Sequence, residues 1–89
     1  MEIENILAER AERYGQFERL STIAQRLKAV MFHYRKREDL SHSQAEALDM
    51  IANKLARILN GDADYTDSWD DIAGYAKLVA DHLRATAVR

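Results

Sequence analysis

Three clusters of side chains in this sequence have the types and the spacing to do chemistry. The first lies where the first predicted helix ends, and it combines arginine with aromatic residues: Arg10, Arg13, Tyr14, Gly15 and Phe17. The fork of an arginine suits a phosphate group, and a ring beside it suits a nucleotide base. In the alternative interpretation the rings belong to the core, the glycine makes a turn and the arginines are solvated.

The second cluster lies on the third predicted helix and mixes acids with cations. Its members are Glu46, Asp49, Asn53, Lys54 and Arg57. Because side chains three and four positions apart share one side of a helix, most of this cluster forms one polar stripe. The stripe contains Glu46, Asp49 or Met50, Asn53 and Arg57.

The third cluster lies at the start of the fourth predicted helix and consists of Asp67, Asp70, Asp71 and Tyr75. The helix dipole favours carboxylates at this end of any helix, so their presence alone indicates little. In a hairpin of the third and fourth helices, the cations Lys54 and Arg57 would approach this cluster. We expect them to meet Asp67 and Asp71, either as a polar seam that fixes helix register or as part of a ligand site.

The first functional hypothesis is that this domain binds a nucleotide or another phosphate-bearing ligand. The predicted ligand-binding residues are Arg10, Arg13, Tyr14, Asn53, Lys54, Arg57, Asp71 and Tyr75. In this hypothesis the four cations meet phosphate, one of the two tyrosines stacks on a base, and Asp71 orients Arg57 or a sugar hydroxyl. The domain would act as a homodimer or higher oligomer, because so small a core gains from extra burial.

A divalent metal is the alternative ligand for the second and third clusters. Mg²⁺ takes hard oxygen ligands and keeps several waters, so two or three carboxylates from facing helices would hold it. The available carboxylates are Glu46, Asp49, Asp67, Asp70 and Asp71. Lys54 and Arg57 in the same stretch would compete with a metal, although they suit an anion. We therefore predict no cofactor for the first hypothesis and Mg²⁺ for the alternative.

Four helices must position these clusters. The chain has no proline and only three glycines, so glycine is the strongest punctuation. The first helix is predicted from Glu2 to about Tyr14. The second is predicted from about Gln16 to Arg35, because apolar residues recur there every three to four positions.

A capping signal marks the start of the third helix. Ser41 followed by Gln44 is a capping box, in which each side chain bonds the other residue's backbone. Ser43 followed by Glu46 is the competing register.

Glycine and acidic residues mark the remaining helix ends. Asn60-Gly61 should stop the third helix, because glycine reaches the left-handed conformation without a Cβ penalty. Asp67 or Ser68 should cap the fourth. Within that helix Gly74 costs about 1 kcal/mol relative to alanine, and we expect it to permit close packing of another helix.

These features predict an all-α fold, a small antiparallel bundle of about four helices in one domain over residues 1–89. No segment sustains the alternation of period two that strands show. The hydrophobic content of 47% and the charged content of 31% are ordinary for a folded globular domain. Without cysteine, disulfides and thiolate metal sites are excluded.

Charge and hydropathy limit the partners. A net charge of −2 provides no basic field, so nucleic acid is not an expected partner. No apolar run reaches the roughly 18 to 20 residues that span a bilayer, and the acidic start differs from a basic secretory signal. We therefore expect a cytoplasmic protein without a membrane partner. Basic residues dominate 10–37 and carboxylates dominate 62–71, so these regions face each other or separate partners.

Three segments carry a resemblance to known families. In chain order they are Glu9 to Phe17, Ala52 to Ile58 and Asp67 to Ala76. Together they resemble a family of small phage and prophage proteins classed only as a domain of unknown function. More distantly, they resemble the type 1 nucleotide-modification-associated domain of phages. The resemblance covers nearly the whole chain and implies a compact helical fold and a phage or prophage origin.

A weaker resemblance is to the all-α nucleotide pyrophosphohydrolases of the MazG type. Those proteins bind Mg²⁺ through a Glu-x-x-Glu pair on one helix and a Glu-x-x-Asp pair on the next. Here the matching pairs are Glu46 with Asp49 and Asp67 with Asp70, each with one Asp in place of a Glu. The resemblance implies that these four residues hold Mg²⁺ for the hydrolysis of a nucleoside triphosphate to monophosphate and pyrophosphate. Whether the chain is an enzyme stays open.

A third functional hypothesis is a module that binds a host protein. The carboxylates between Asp62 and Asp71 could engage a basic surface on such a partner. This hypothesis needs neither a nucleotide nor a metal.

Overall fold

The structure, a computed structural model, describes residues 2–87. Its helices are α1 (Glu2–Tyr14), α2 (Phe17–Tyr34), α3 (His42–Asn60) and α4 (Thr66–Ala87), with a short 3₁₀ turn at Arg37–Asp39. The described residues contain no strand. The predicted all-α class and the small bundle of about four helices are therefore confirmed, and the first two helices have the predicted bounds to within one residue.

The central element is α3. Helix α2 packs along one side of it and α4 along the other, while α2 and α4 share little direct contact. Asp49 of α3 pairs with Arg37, just after α2, and Lys54 of α3 pairs with Asp71 of α4. The three helices therefore form a layer one helix thick, with two open faces. Helix α1 packs against one end of this layer, which makes the molecule elongated, 54 by 25 by 24 Å.

Small side chains fill the contacts between the helices. Ala24 of α2 and Ala47, Ala52 and Ala56 of α3 are buried, the last two completely. Alanine lets helix backbones approach closely, and it loses no side-chain entropy on burial. Among the described residues no large side chain is fully buried. Much of the apolar surface of this chain is consequently uncovered.

The capping box at the start of α3 is confirmed in its first register. The backbone amide of Gln44 donates to Ser41 Oγ at 3.1 Å, and the backbone amide of Ser41 donates to Gln44 Oε1 at 3.0 Å. These bonds satisfy two of the amide groups that the first turn of any helix leaves without a partner.

The reason predicted for Gly61 is wrong, although the helix does end there. Gly61 has φ −126°, outside the left-handed region. It needs to be glycine because a Cβ would collide with the backbone of Arg13 and Tyr14. The left-handed glycine is Gly15, with φ +80°, in the tight connection between α1 and α2.

The predictions for α4 also need correction. The helix begins at Thr66, one residue before the earlier of the two predicted caps, and Ser68 is buried inside it. No atom of another element lies within 4 Å of the position that a Cβ on Gly74 would occupy. The close helix packing expected at Gly74 is therefore absent, because this side of α4 faces solvent. Within residues 2–87 no helix combines the length and the hydropathy needed to cross a membrane.

Candidate functional site

The connection between α1 and α2 is fastened to the end of α3. The side-chain amide of Asn60 donates to the carbonyl oxygens of Tyr14 at 2.9 Å and Gln16 at 3.1 Å. The backbone amide of Asp62 donates to the carbonyl oxygen of Arg13 at 2.6 Å. A Cβ on Gly15 would collide with Asn60, so glycine is required for this approach. These contacts bring the first predicted cluster beside Arg57.

Two tyrosine rings lie between two arginine side chains at this end of the molecule, in the order Arg57, Tyr14, Tyr65, Arg13. The guanidinium of Arg57 lies 4.3 Å from the centre of the Tyr14 ring, and that of Arg13 lies 4.4 Å from the Tyr65 ring. The two rings meet edge to face with their centres 6.1 Å apart. The cation–π contact orders Arg57 without a carboxylate, whereas Arg13 also pairs with Glu9.

A cleft of about 430 Å³ opens between α1, α2 and the end of α3. Its walls include three of the predicted ligand-binding residues, Arg10, Tyr14 and Arg57. The remaining wall is mainly apolar, with Glu18 as its carboxylate: Leu7, Ala11, Gly15, Gln16, Phe17, Glu18 and Leu20. This volume is within the range of small-molecule sites, about 300 to 1,000 Å³.

A second cleft of about 280 Å³ adjoins the first, between α2 and α3. The two clefts share Phe17, Leu20 and Arg57. The second adds uncharged polar side chains: Ser21, Gln25 and Asn53. The Ser21 hydroxyl already donates to the carbonyl oxygen of Phe17 and can accept a further bond, whereas the two amides can both donate and accept. Arg57 therefore stands where a cleft lined by arginines meets a cleft lined by uncharged polar groups.

The guanidinium of Arg57 keeps its hydrogen-bonding capacity. Among residues 2–87 its contact is the ring of Tyr14, and it forms no ion pair with a carboxylate there. Stacking uses the flat face of a guanidinium, whereas its N–H donors point outward in the plane. The edge of Arg57 can therefore still bind a phosphate oxygen.

Other predicted site residues are engaged elsewhere. Lys54 is 8% exposed and its Nζ lies 3.0 Å from Asp71 Oδ2, so this pair is the polar seam between α3 and α4. Arg13 pairs with Glu9 at 3.4 Å and stacks on Tyr65, outside the cleft. The expected approach of Lys54 to Asp71 is confirmed, and Arg57 turns to Tyr14 instead of a carboxylate.

Tyr75 also lies apart from Arg57. It lines a separate cleft between α3 and α4 together with Glu46, His42 and His82. That cleft, like the one with Asn53 and Arg57, opens on the face of the layer that carries the predicted α3 stripe of Glu46, Asn53 and Arg57. We call this side of the layer the polar face.

The structure does not bring together the four carboxylates expected to hold Mg²⁺. Because Lys54 pairs with Asp71 in an antiparallel hairpin, Asp67 lies level with about Ile58, roughly 18 Å along α3 from Glu46. Asp70 is also at that end of the hairpin. Residues 2–87 contain no group of three His, Asp or Glu side chains placed to hold a metal ion.

Two of these carboxylates have other partners. Asp49 accepts two hydrogen bonds from Arg37, one of 2.9 Å, and these bonds hold the pKa of Asp49 below its usual value. Asp67 accepts a bond of 2.9 Å from the Tyr65 hydroxyl, which raises the pKa of Tyr65 above its usual value.

Sequence reasoning did not assign a ligand-binding role to several cleft residues. Phe17 was in the first cluster but outside the predicted ligand-binding residues, although it is 73% exposed and borders both clefts. Ser21 and Gln25 follow it at steps of four, so they share its side of α2. To find them, one must know which side of α2 faces Arg57, and residue spacing within one helix does not give this information.

The fold and this site define a small all-α protein with an arginine–aromatic cleft at one end of a helical layer. The chain belongs to the family described as Domain of unknown function (DUF6378), whose family model matches residues 2–83. No curated protein and no solved structure shows a significant match to the chain.

Proposed function

We propose that this chain binds a nucleotide or a related phosphate-bearing small molecule in the two adjoining clefts lined by Arg57. The observation that carries the proposal is the state of Arg57, a partly buried arginine stacked on Tyr14 without a carboxylate partner among residues 2–87. Because packing already orders this side chain, binding an anion would cost little further side-chain entropy.

The chemistry of the walls matches the parts of a nucleotide. Arg57 and Arg10 would bind phosphate oxygens, since guanidinium forks fit them in pairs of hydrogen bonds. The exposed ring of Phe17 offers a stacking surface for a base, whereas Arg57 already occupies a face of Tyr14. Ser21, Gln25 and Asn53 line the second cleft and would bind a sugar or a base edge.

The resemblances to the nucleotide-modification-associated domain of phages and to the MazG-type pyrophosphohydrolases agree with this ligand class, and a phage or prophage origin is part of the proposal. Metal-dependent hydrolysis has less support, because Glu46 and Asp67 lie at different levels of the hairpin. Binding in the cleft does not require Mg²⁺. A cytoplasmic location, where nucleotides are abundant, also belongs to the proposal.

Thermal unfolding with and without ligands tests the proposal. The purified chain would be heated with nucleoside mono-, di- and triphosphates, cyclic dinucleotides and pyrophosphate, each with and without Mg²⁺. A ligand at 100 times its dissociation constant adds about 2.7 kcal/mol to the free energy of unfolding, so the melting temperature should rise by about 10 °C or more. We expect this rise without Mg²⁺.

Matched variants locate the site. Arg57→Gln and Arg10→Gln should each weaken binding by about tenfold or more, measured by calorimetric titration, because each removes charged hydrogen bonds to phosphate. Arg84→Gln removes the same charge from an exposed arginine that pairs with Asp81, outside the two clefts, and should leave affinity unchanged. The proposal is overturned if no phosphate compound raises the melting temperature, or if all three variants bind equally.

A further inference from the structure

Apolar side chains form a continuous stripe along one side of each helix in the layer. On α3 the stripe follows steps of four and three. It consists of Leu48, Ile51, Leu55 and Leu59. Leu48 is 37% exposed and Leu59 is 64% exposed, although both are large and apolar.

The neighbouring helices continue this surface. A shared groove of about 370 Å³ joins the α3 stripe to α4 through Leu48, Ile51, Ala80 and Leu83. Further along α4, Trp69 lies on the same stripe and is 53% exposed.

Helix α2 presents its own stripe of Ile23, Leu27, Val30 and Tyr34. Because Ser21 and Gln25 line the cleft on the polar face, this stripe points to the opposite side of the layer. We call the surface made by the three stripes the apolar face.

The apolar face carries no charge along its centre. None of the stripe positions on α2, α3 or α4 is Asp, Glu, Lys or Arg. Glu46, Lys54 and Arg57 of α3 all lie outside its apolar stripe. The centre of a protein interface differs from ordinary surface because it is depleted in charged residues and enriched in aromatic ones.

The accessible surface of the chain is larger than that of a compact monomer of its mass. It measures 6838 Å², whereas a compact monomer of 10.2 kDa exposes roughly 5,300 Å². The excess of about 1,500 Å² is more than the roughly 800 Å² that each partner buries in an interface of standard size. The radius of gyration of 15.3 Å likewise exceeds the roughly 12 Å expected for this length.

We propose that the apolar face is covered by the apolar face of a second copy of this chain. The sequence predicts self-association only from the size of the core, and the structure assigns it to this surface. An uncharged face is self-complementary, which suits the twofold symmetry in which one patch meets the same patch of its partner. When two layers stack, the apolar stripes of one copy are buried against those of the other. The proposal does not depend on nucleotide binding on the polar face.

Analytical ultracentrifugation over a range of concentrations tests this interface. We expect the wild-type chain to sediment as a dimer at about 100 μM, because interfaces of standard size have micromolar or tighter affinity. Leu59→Lys places one charge per copy in the apolar face and should shift the population to monomer. Circular dichroism should still show a helical chain, because Leu59 is largely exposed within one copy.

Leu78→Lys is the matched control. Leu78 is 68% exposed, close to the 64% of Leu59, but it lines the cleft with Glu46 and Tyr75 on the polar face. This variant should remain a dimer. A wild-type chain that is monomeric at all concentrations overturns the proposal, and so does equal dissociation by the two variants. A dimer unaffected by Leu59→Lys would place the contact on another surface and overturn it as well.

Discussion

At the scale of single residues, arginine side chains make the decisive contacts of this molecule, and they do so in two different ways. Arg37 bonds both carboxylate oxygens of Asp49 and lies 4.0 Å from the centre of the Phe32 ring, so it ties the turn after α2 to α3. Arg57 has the ring contact without the carboxylate. The N–H donors of Arg37 are used by Asp49, whereas those of Arg57 remain available to a ligand.

The Arg37–Asp49 pair predicts a dependence of stability on pH. The bonds from Arg37 lower the pKa of Asp49 in the folded chain, so ionised Asp49 stabilises the fold above the unfolded pKa of about 4. This contribution is lost as the pH falls through the folded pKa. We expect Asp49→Asn to lower the melting temperature by a few degrees at pH 7, and the difference from wild type to shrink below about pH 4.

Thermal melts of both proteins from pH 7 down to about pH 3 provide the measurement. Asp70→Asn is the control, because Asp70 is an exposed carboxylate without an ion pair in the described part of the chain. A difference between Asp49→Asn and wild type that stays constant with pH would show that Arg37 does not hold the ionised form.

At the scale of the helices, the three glycines occupy two different kinds of position. Gly15 and Gly61 are required because the α1–α2 connection and the end of α3 approach each other too closely for a Cβ. Gly74 has open space around it, inside an exposed stretch of α4. Its conformational cost to the helix is therefore not repaid by any contact within the described residues.

Gly74→Ala should stabilise the protein. Alanine favours a helix interior over glycine by about 1 kcal/mol, which corresponds to a rise of roughly 4 to 8 °C in melting temperature for a domain of this size. Urea unfolding of the variant and wild type measures the change. Gly61→Ala, the matched substitution at a crowded position, should instead destabilise the fold. A destabilised Gly74→Ala variant would indicate that a partner or ligand packs against this side of α4.

At the scale of the whole molecule, a layer one helix thick cannot bury large side chains on both of its faces. The helices meet through alanines, and the larger apolar residues remain at the edges of these contacts. The polar face carries the charged residues Glu46 and Arg57, although Phe17 and Leu78 are also exposed on it. The apolar face is the surface whose burial would add most to stability.

A dimer through the apolar face makes thermal stability depend on concentration. Dimerisation stabilises the folded chain by mass action, so the melting temperature should rise by several degrees for each tenfold increase in protein concentration within a range around the dissociation constant. Differential scanning calorimetry at three concentrations measures this. Leu59→Lys should melt at the same temperature at all three, and a wild-type chain that did so too would contradict the dimer.

Local sequence patterns were sufficient for the helices of this protein. The period of apolar residues placed α1 and α2, and the Ser41–Gln44 box placed the start of α3, because both signals depend on residues close together in sequence. The register of the α3–α4 hairpin could also be predicted, because a short connection brings Lys54 and Asp71 opposite each other. Arg10, Tyr14 and Arg57 were each predicted to bind ligand from their residue types, not from any local pattern that joins them.

Only the packing of the helices decided which of these residues share a site. Spacing shows which residues lie on one side of a helix, but the angle at which that side faces its neighbour is set by contacts distant in sequence. The hydrogen bonds of Asn60 and the close approach at Gly15 and Gly61 bring Tyr14 against Arg57. Lys54 lies only three residues before Arg57, yet it pairs with α4. The separation of Glu46 from Asp67 has the same cause. This distance follows from the antiparallel course of α3 and α4, and the residue types of the two carboxylate pairs do not reveal it.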